Sequence, residues 1–342
     1  MDIRTLSEND NEKWDKFVIQ HPHSVAWQLF GWSHVLRKHY NCTFLPLAAL
    51  DGDAIRAVFP LFHWSAPFKR DLLISVPFAV AGGILADTTD AAAAVFDTAL
   101  ELARELGEIR IVLKQYKTKY ELDVATDANY YNRELDLQKG LANVWDGLDE
   151  INKNAIERIQ GEDLILDYPS TEIGIFFDLL LSHQHRKGIP CVRRTWIESL
   201  LQFRLYSLAL LKRGGAVVAG TMVKEYNKTV SFPYTCLSRG PADEMLSHAC
   251  ILYWKLIQNC AREKFSIFHS GRIPKGEQVD AYRLGWGGRL HPYFYQYWPS
   301  NRANTEFQTK RGHKRDALTA CWRKLPTKLA GVLGPYVVSR YP

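Results

Sequence analysis

The chain has 342 residues, 46% of them hydrophobic and 23% charged, with a net charge of +6. That balance supports substantial cores, favours two domains over one, and excludes a disordered or fibrous polypeptide. The opening MDIRTLSENDNEKWDKF lacks the apolar run of a secretory signal, and the most apolar stretch, Leu205 to Val223, is broken by Lys212, Arg213, Gly214 and Gly215, short of the roughly 18 unbroken residues of a membrane span, so a cytoplasmic protein is expected.

Helical periodicity around Trp14 to Ile19 and from Gln28 to His39 comes first along the chain. The runs Thr43 to Leu50 and Ala54 to His63 flank Asp51-Gly52-Asp53 and predict a hairpin, because a D-G turn supplies the positive φ of a tight reversal. A short strand over Leu72 to Val76, a helix over Ala91 to Leu106 and a strand over Glu108 to Lys114 follow. A charged amphipathic helix is expected in DGLDEINKNAIERIQGED.

The second half repeats this order. Helices are predicted near Ile173 to Arg186 and Thr195 to Phe203, then strands Tyr206 to Lys212 and Val217 to Tyr226 around Arg213-Gly214-Gly215. ISVPFAVAGGILAD (74 to 87) aligns without a gap on VSFPYTCLSRGPAD (230 to 243), sharing Ser75/Ser231, Pro77/Pro233, Ala86/Ala242 and Asp87/Asp243. Ala103-Arg104-Glu105 likewise matches Ala261-Arg262-Glu263. Preserved order at a near-constant offset predicts a duplicated domain. The expected division is 1–145, 146–300 and a tail, 301–342, that carries nine Lys and Arg against Glu306 and Asp316. Such a tail attracts phosphate on a membrane, a nucleic acid or a lipid-linked substrate, or simply aids solubility.

Six cysteines at wide spacing contain no C-x-x-C pair, and four lie in apolar patterns, so reduced structural thiols are expected. His183 and His185 point to different helix faces, and no metal site is expected.

Helix, hairpin, third strand, helix and strand in this order is similar to the acetyltransferase-like (GNAT) fold, and two copies in tandem resemble the FemAB/FemX family of peptidoglycan-bridge aminoacyltransferases. Four segments carry the resemblance: HPHSVAWQLFGWSHVL (21 to 36), INKNAIERIQ (151 to 160), HRKGIPCVRRTW (185 to 196) and FSIFHSGRIPKGEQVDAYRLGWGGRLHPYFYQYW (265 to 298). The subgroup it most resembles comprises FemAB-like proteins associated with exosortase and exopolysaccharide genes. The resemblance implies an α/β protein of two tandem GNAT-like domains with mixed central sheets. It also implies transfer of an acyl or aminoacyl group to an amine of a cell-wall or exopolysaccharide precursor, lipid-linked or nucleotide-linked. The donor would be aminoacyl-tRNA or acyl-CoA as co-substrate, with no tightly bound cofactor. Where the family usually has an acidic residue and a Lys, this chain has His269 and Arg283, and it lacks an inserted coiled-coil arm for tRNA.

Acyl transfer to an amine needs the amine uncharged, the carbonyl polarised and the anionic parts of both substrates held. His269, at the end of an apolar strand, suits a base near neutral pH or a structural role. Arg272 and Lys275, in the loop beyond, suit a phosphate or carboxylate. The resemblance places Tyr282 and Arg283 beside the reacting carbonyl and the donor, and Gln28, Trp32 and Arg37 near the acceptor's diphosphate. Gln28 and Trp32 are expected on one helical face, with a core role for Trp32 as the alternative. Tyr234 offers a hydrogen bond to a carbonyl or packs a strand.

Two rivals stand beside this reading. A CoA-dependent N-acyltransferase would need a Gly-rich loop before a helix, but LSRGPADEML has Pro241 where an N–H is wanted. A non-catalytic binder of anionic glycolipid or RNA would use the basic tail alone. LTACWRKLPTKLAGVLGPYVV, broken by Pro326 and Pro335, reads as two short interfacial helices on the inner membrane.

Overall fold

A computed structural model describes residues 1–65, 70–275, 285–300 and 312–342, with side chains in the last segment from residue 318 onward. The expectations for Tyr282 and Arg283 fall outside the described residues. In chain order the first elements are β1 (Asp2–Thr5), α1 (Asn11–Gln20), α2 (Gly31–His39), β2 (Cys42–Asp51), β3 (Ala54–Trp64), β4 (Leu72–Ser75), β5 (Leu85–Ala86), α3 (Thr89–Glu105), β6 (Arg110–Tyr116) and β7 (Ala125–Asp136). Next come α4 (Leu141–Asp146), α5 (Glu150–Glu157), β8 (Leu164–Asp167), α6 (Ile173–Lys187), α7 (Arg194–Gln202), β9 (Ser207–Arg213), β10 (Ala216–Tyr226), β11 (Thr229–Ser231), β12 (Cys236–Leu237) and α8 (Ala242–Arg262). The chain ends with β13 (Ile267–His269), β14 (Ile273–Pro274), β15 (Arg289–Trp298), α9 (Gly312–Lys324) and α10 (Thr327–Val338).

Two compact units emerge: Met1–Tyr130 with the described part of Pro292–Lys314 and Ser339–Pro342, and Tyr131–His291 with Arg315–Val338. In the first, β1, β2, β3 and β4 pair antiparallel in turn, β4 pairs parallel with β6, and β6 pairs antiparallel with β15. In the second, β8, β9, β10 and β11 pair antiparallel, β11 pairs parallel with β13, and β13 pairs antiparallel with β7. The strand directions are the same in both, and β5 on β3 is matched by β12 on β10. Each sheet takes its last strand from the opposite half of the sequence. A mixed α/β fold in duplicate is what the sequence led one to expect.

Local chemistry explains the elements. Gly52 turns β2 into β3 at φ 58°, a conformation open to glycine without a Cβ penalty. Thr88 caps α3 by accepting from the Ala91 amide at 3.2 Å, and Ala91, Ala92, Val95, Phe96, Ala99 and Ala103 form the stripe that α3 buries. The duplication extends to the backbone: β4 and β11 end on the aligned Ser75 and Ser231, and three residues later Phe78 and Tyr234 both adopt left-handed φ, 60° and 59°. That conformation costs a non-glycine residue about 1–2 kcal/mol, so its recurrence at aligned positions marks a shared architecture.

Two helix expectations need correction. The helix expected from Gln28 begins at Gly31, because Gln28 closes a 3₁₀ turn, Ala26–Gln28, and its side chain is engaged elsewhere. In the tail, Pro326 separates α9 from α10 as expected, but Pro335 lies inside α10 rather than ending it.

Candidate active site

In the second unit the strand register places Lys224 of β10 opposite Ser231 of β11, Ser231 opposite His269 of β13, and His269 opposite Glu134 of β7. Residues directly opposite in neighbouring strands project from the same face, so these four side chains form one polar row across the sheet. The preceding register, Val230, Phe268 and Leu135, projects to the other face and joins the core beneath α8. Period-two alternation thus separates a dry face from a chemical one.

Glu134, at the β7 end of this row, joins two histidines. Its carboxylate lies 3.1 Å from His269 Nε2 through one oxygen and 3.2 Å from His291 Nε2 through the other, with only 10% of its side chain exposed. The His269 contact is an ion pair by distance rather than a straight hydrogen bond. A carboxylate between two imidazoles fixes their orientation, which is what a positioned base needs.

Neighbouring backbone is pinned tightly. The Gly271 amide donates to Asn132 Oδ1 at 3.1 Å, and the Ser270 amide donates to the Arg133 carbonyl at 3.0 Å. Arg133 donates to the Gly287 carbonyl at 3.3 Å. Gly271, at φ 81°, turns the chain out of β13 toward the short β14, with Arg272 before that strand and Lys275 after it, both exposed. Trp286 is fully buried against Tyr253 and Phe268, so it anchors the turn.

The glycines of this turn have steric reasons. A Cβ on Gly287, at φ 69°, would lie 2.6 Å from the Gly147 carbonyl, and one on Gly288, at φ 86°, would collide with the Glu134 carbonyl. Backbone cannot rotate aside as a side chain can. Gly288→Ala is therefore expected to cost at least about 2 kcal/mol, seen as a melting point lowered by several degrees, and to disturb Glu134. A melting point within a degree of the parent would contradict this packing.

Lys224 ends the row in a buried position, and burial pushes its amine down to about 7. Tyr234 lies beyond β11, where its hydroxyl accepts from Trp196 Nε1 at 3.2 Å and burial pushes its pKa up, making it a weaker acid. Cys191, Cys250 and Cys260 are buried and pushed up to about 12, so these thiols are protonated at neutral pH.

Gln28, Trp32 and Arg37 belong to the first unit. Gln28 is buried, accepting from the Val25 amide and donating to the Gly83 carbonyl, both at 2.9 Å. Trp32 is buried and Arg37 pairs with Glu8. His269 ends β13, and Arg272 and Lys275 flank the short β14 that follows it. Glu134, His291 and Lys224 were missed by sequence reading; the signal present was Glu134 alternating with Leu135 in a strand-like run. Among the described residues no group of three or more His, Cys, Asp or Glu side chains is placed so that it could hold a metal ion.

No family model and no characterised protein matches the sequence. Solved structures do match its fold. A FemX crystal structure aligns over 86% of this chain and 97% of its own, with a TM-score of 0.67 and 12% identity. L-PGS from Bacillus licheniformis aligns over 96% and 99%, at 0.58 and 13%. A tandem GNAT protein from the clavulanic acid biosynthesis pathway aligns over 86% and 97%, at 0.56 and 13%. The fold is therefore that of the tandem GNAT proteins, shared with FemX.

Proposed function

We propose that the protein is a FemAB-like transferase that joins an aminoacyl group to an amine of a lipid-linked or nucleotide-linked cell-wall or exopolysaccharide precursor. The observation that carries the reading is the His269–Glu134–His291 cluster, held at the end of the parallel β11–β13 pair in a fold shared with FemX. In this reading His269 takes a proton from the acceptor's ammonium group. The free amine attacks the donor's ester carbonyl, the C–N bond forms as the C–O bond breaks, and the departing oxygen leaves as a hydroxyl after taking up a proton. Arg272 and Lys275 hold phosphate, with Tyr282 and Arg283 beside the carbonyl as the family resemblance implies.

Charge at the helix starts favours a tRNA ester over a CoA thioester as donor. CoA pyrophosphate would need bare amides and a positive field at a helix N-terminus. Asp90 occupies the first turn of α3, and Thr88 already takes the Ala91 amide. Asp243 and Glu244 occupy the first turn of α8, behind Pro241. Asp243 pairs with Arg158 and Glu244 with Arg213, so the α8 start is occupied by ion pairs, and the α3 start has a capped amide beside Asp90; neither presents the bare amides a pyrophosphate would need.

The test is the melting temperature with aminoacylated tRNA, uncharged tRNA and acyl-CoA, since a ligand that binds only the folded state raises it. A larger rise with aminoacylated than with uncharged tRNA is expected. A rise with acyl-CoA alone would replace this donor with CoA.

A further inference from the structure

Among the described residues no helix is long and apolar enough to cross a membrane. The second unit nonetheless carries an outward apolar stripe. Within that unit α10 lies against α6 through its small residues. Ala330 is 1% exposed, Gly331 faces Leu181, and a Cβ on Gly334 would lie 2.6 Å from the Cys191 carbonyl. Thr327 Oγ1 meets His185 Nδ1 at 3.3 Å, and Arg323 donates to the Lys187 carbonyl at 3.3 Å. The tail here is a docked element with a fixed orientation rather than a pair of free helices.

That orientation turns Leu329, Val332, Leu333 and Tyr336 outward, at 43%, 63%, 39% and 61% exposure. Their spacing of i, i+3, i+4 and i+7 makes a single stripe along α10. A helix in a water-soluble protein ordinarily buries one apolar face; this one buries a face of small residues and shows a second of large ones to solvent.

The charges that the tail itself carries beside the stripe are of one sign. Arg323, Lys324 and Lys328 stand at its N-terminal end, and the Arg193 guanidinium lies 5.4 Å from the Tyr336 ring at its other end. Residues 318–342 contain no Asp or Glu. A protein partner of matching shape would need acids placed around an apolar groove. An anionic bilayer supplies both, acyl chains beneath and phosphate at the level of the basic residues.

We infer that α10, oriented by α6, is a docking surface for an anionic phospholipid bilayer, with Leu329, Val332, Leu333 and Tyr336 entering the interface and Arg323, Lys324, Lys328 and Arg193 meeting the headgroups. This surface is independent of the transfer reaction proposed above.

The experiment is co-sedimentation of the full chain with phosphatidylglycerol–phosphatidylcholine vesicles and with phosphatidylcholine vesicles at low salt. Binding to the first and not the second is expected. Val332→Glu should lower the bound fraction at least tenfold, and the double variant Lys324→Glu/Lys328→Glu should do the same. Both variants should keep the parent melting temperature, because the altered side chains are not buried. Failure of the parent to bind anionic vesicles would overturn the inference, as would undiminished binding by Val332→Glu. A dimer of the parent that Val332→Glu dissociates, without vesicle binding, would assign the stripe to a second copy instead.

Discussion

Glu134→Gln is expected to lower the rate of transfer at least a hundredfold while leaving the fold intact. The amide keeps the volume and planarity of the carboxylate but not its charge, and charge is what ties His269 and His291 to one centre. General-base catalysis by a positioned side chain contributes typically about 10²–10⁴-fold, and an imidazole without its anionic partner loses both orientation and the stabilisation of its protonated form. His269→Ala should cost a similar factor. The double variant should be little worse than either single one, because residues acting as a unit lose their function together. His291→Gln should cost less if it only steadies the carboxylate. Single-turnover transfer rates, with circular dichroism as the fold control, decide the matter. Retention of half the activity by Glu134→Gln would remove His269 from the role of base.

How far this site was legible depends on the distance over which each signal acts. The β2–β3 hairpin is written in a D-G turn between apolar runs, and α3 in its alanine stripe; both are local, and both were found from sequence. The repeat was legible because Ser75/Ser231 and Pro77/Pro233 keep their register, and the left-handed Phe78 and Tyr234 show that alignment to be a backbone fact. Glu134 belongs to another class. It meets His269 only because β7 pairs with β13, a contact between strands 135 residues apart in the chain and one that no local period encodes.

Gln28 illustrates the opposite failure. A four-residue spacing to Trp32 reads as one helical face, but the side chain of Gln28 satisfies the Val25 amide and the Gly83 carbonyl, and those bonds favour a 3₁₀ turn over a continuous α-helix. Polar residues that compete for backbone groups shift helix starts in ways that apolar periodicity does not register. Lys224 was hidden for a related reason. In MVKEYNKT it resembles the solvated end of a strand, and only the packed fold reveals it as buried.

That burial carries the second large effect. Lys224→Met is expected to stabilise the protein at pH 6 and to weaken transfer. The folded state holds the amine near 7, against an ordinary 10.5, because burial opposes its charge. Between those values the unfolded chain binds a proton that the folded chain has given up, so stability rises with pH across this window. Below about pH 7 both states are protonated, and the penalty is present in full. At about 1.4 kcal/mol per pH unit the gap corresponds to on the order of 3–5 kcal/mol, which methionine, of similar length and uncharged, removes. The gain should shrink as pH climbs above 7 and disappear near 10.5. Denaturant midpoints of parent and variant at pH 6 and pH 9 measure it directly, and an equal gain at both would show that packing rather than charge is responsible. Lys224 stands in line with Ser231, His269 and Glu134, so its replacement is expected to disturb that row. Stability and transfer are accordingly expected to move in opposite directions in this one variant.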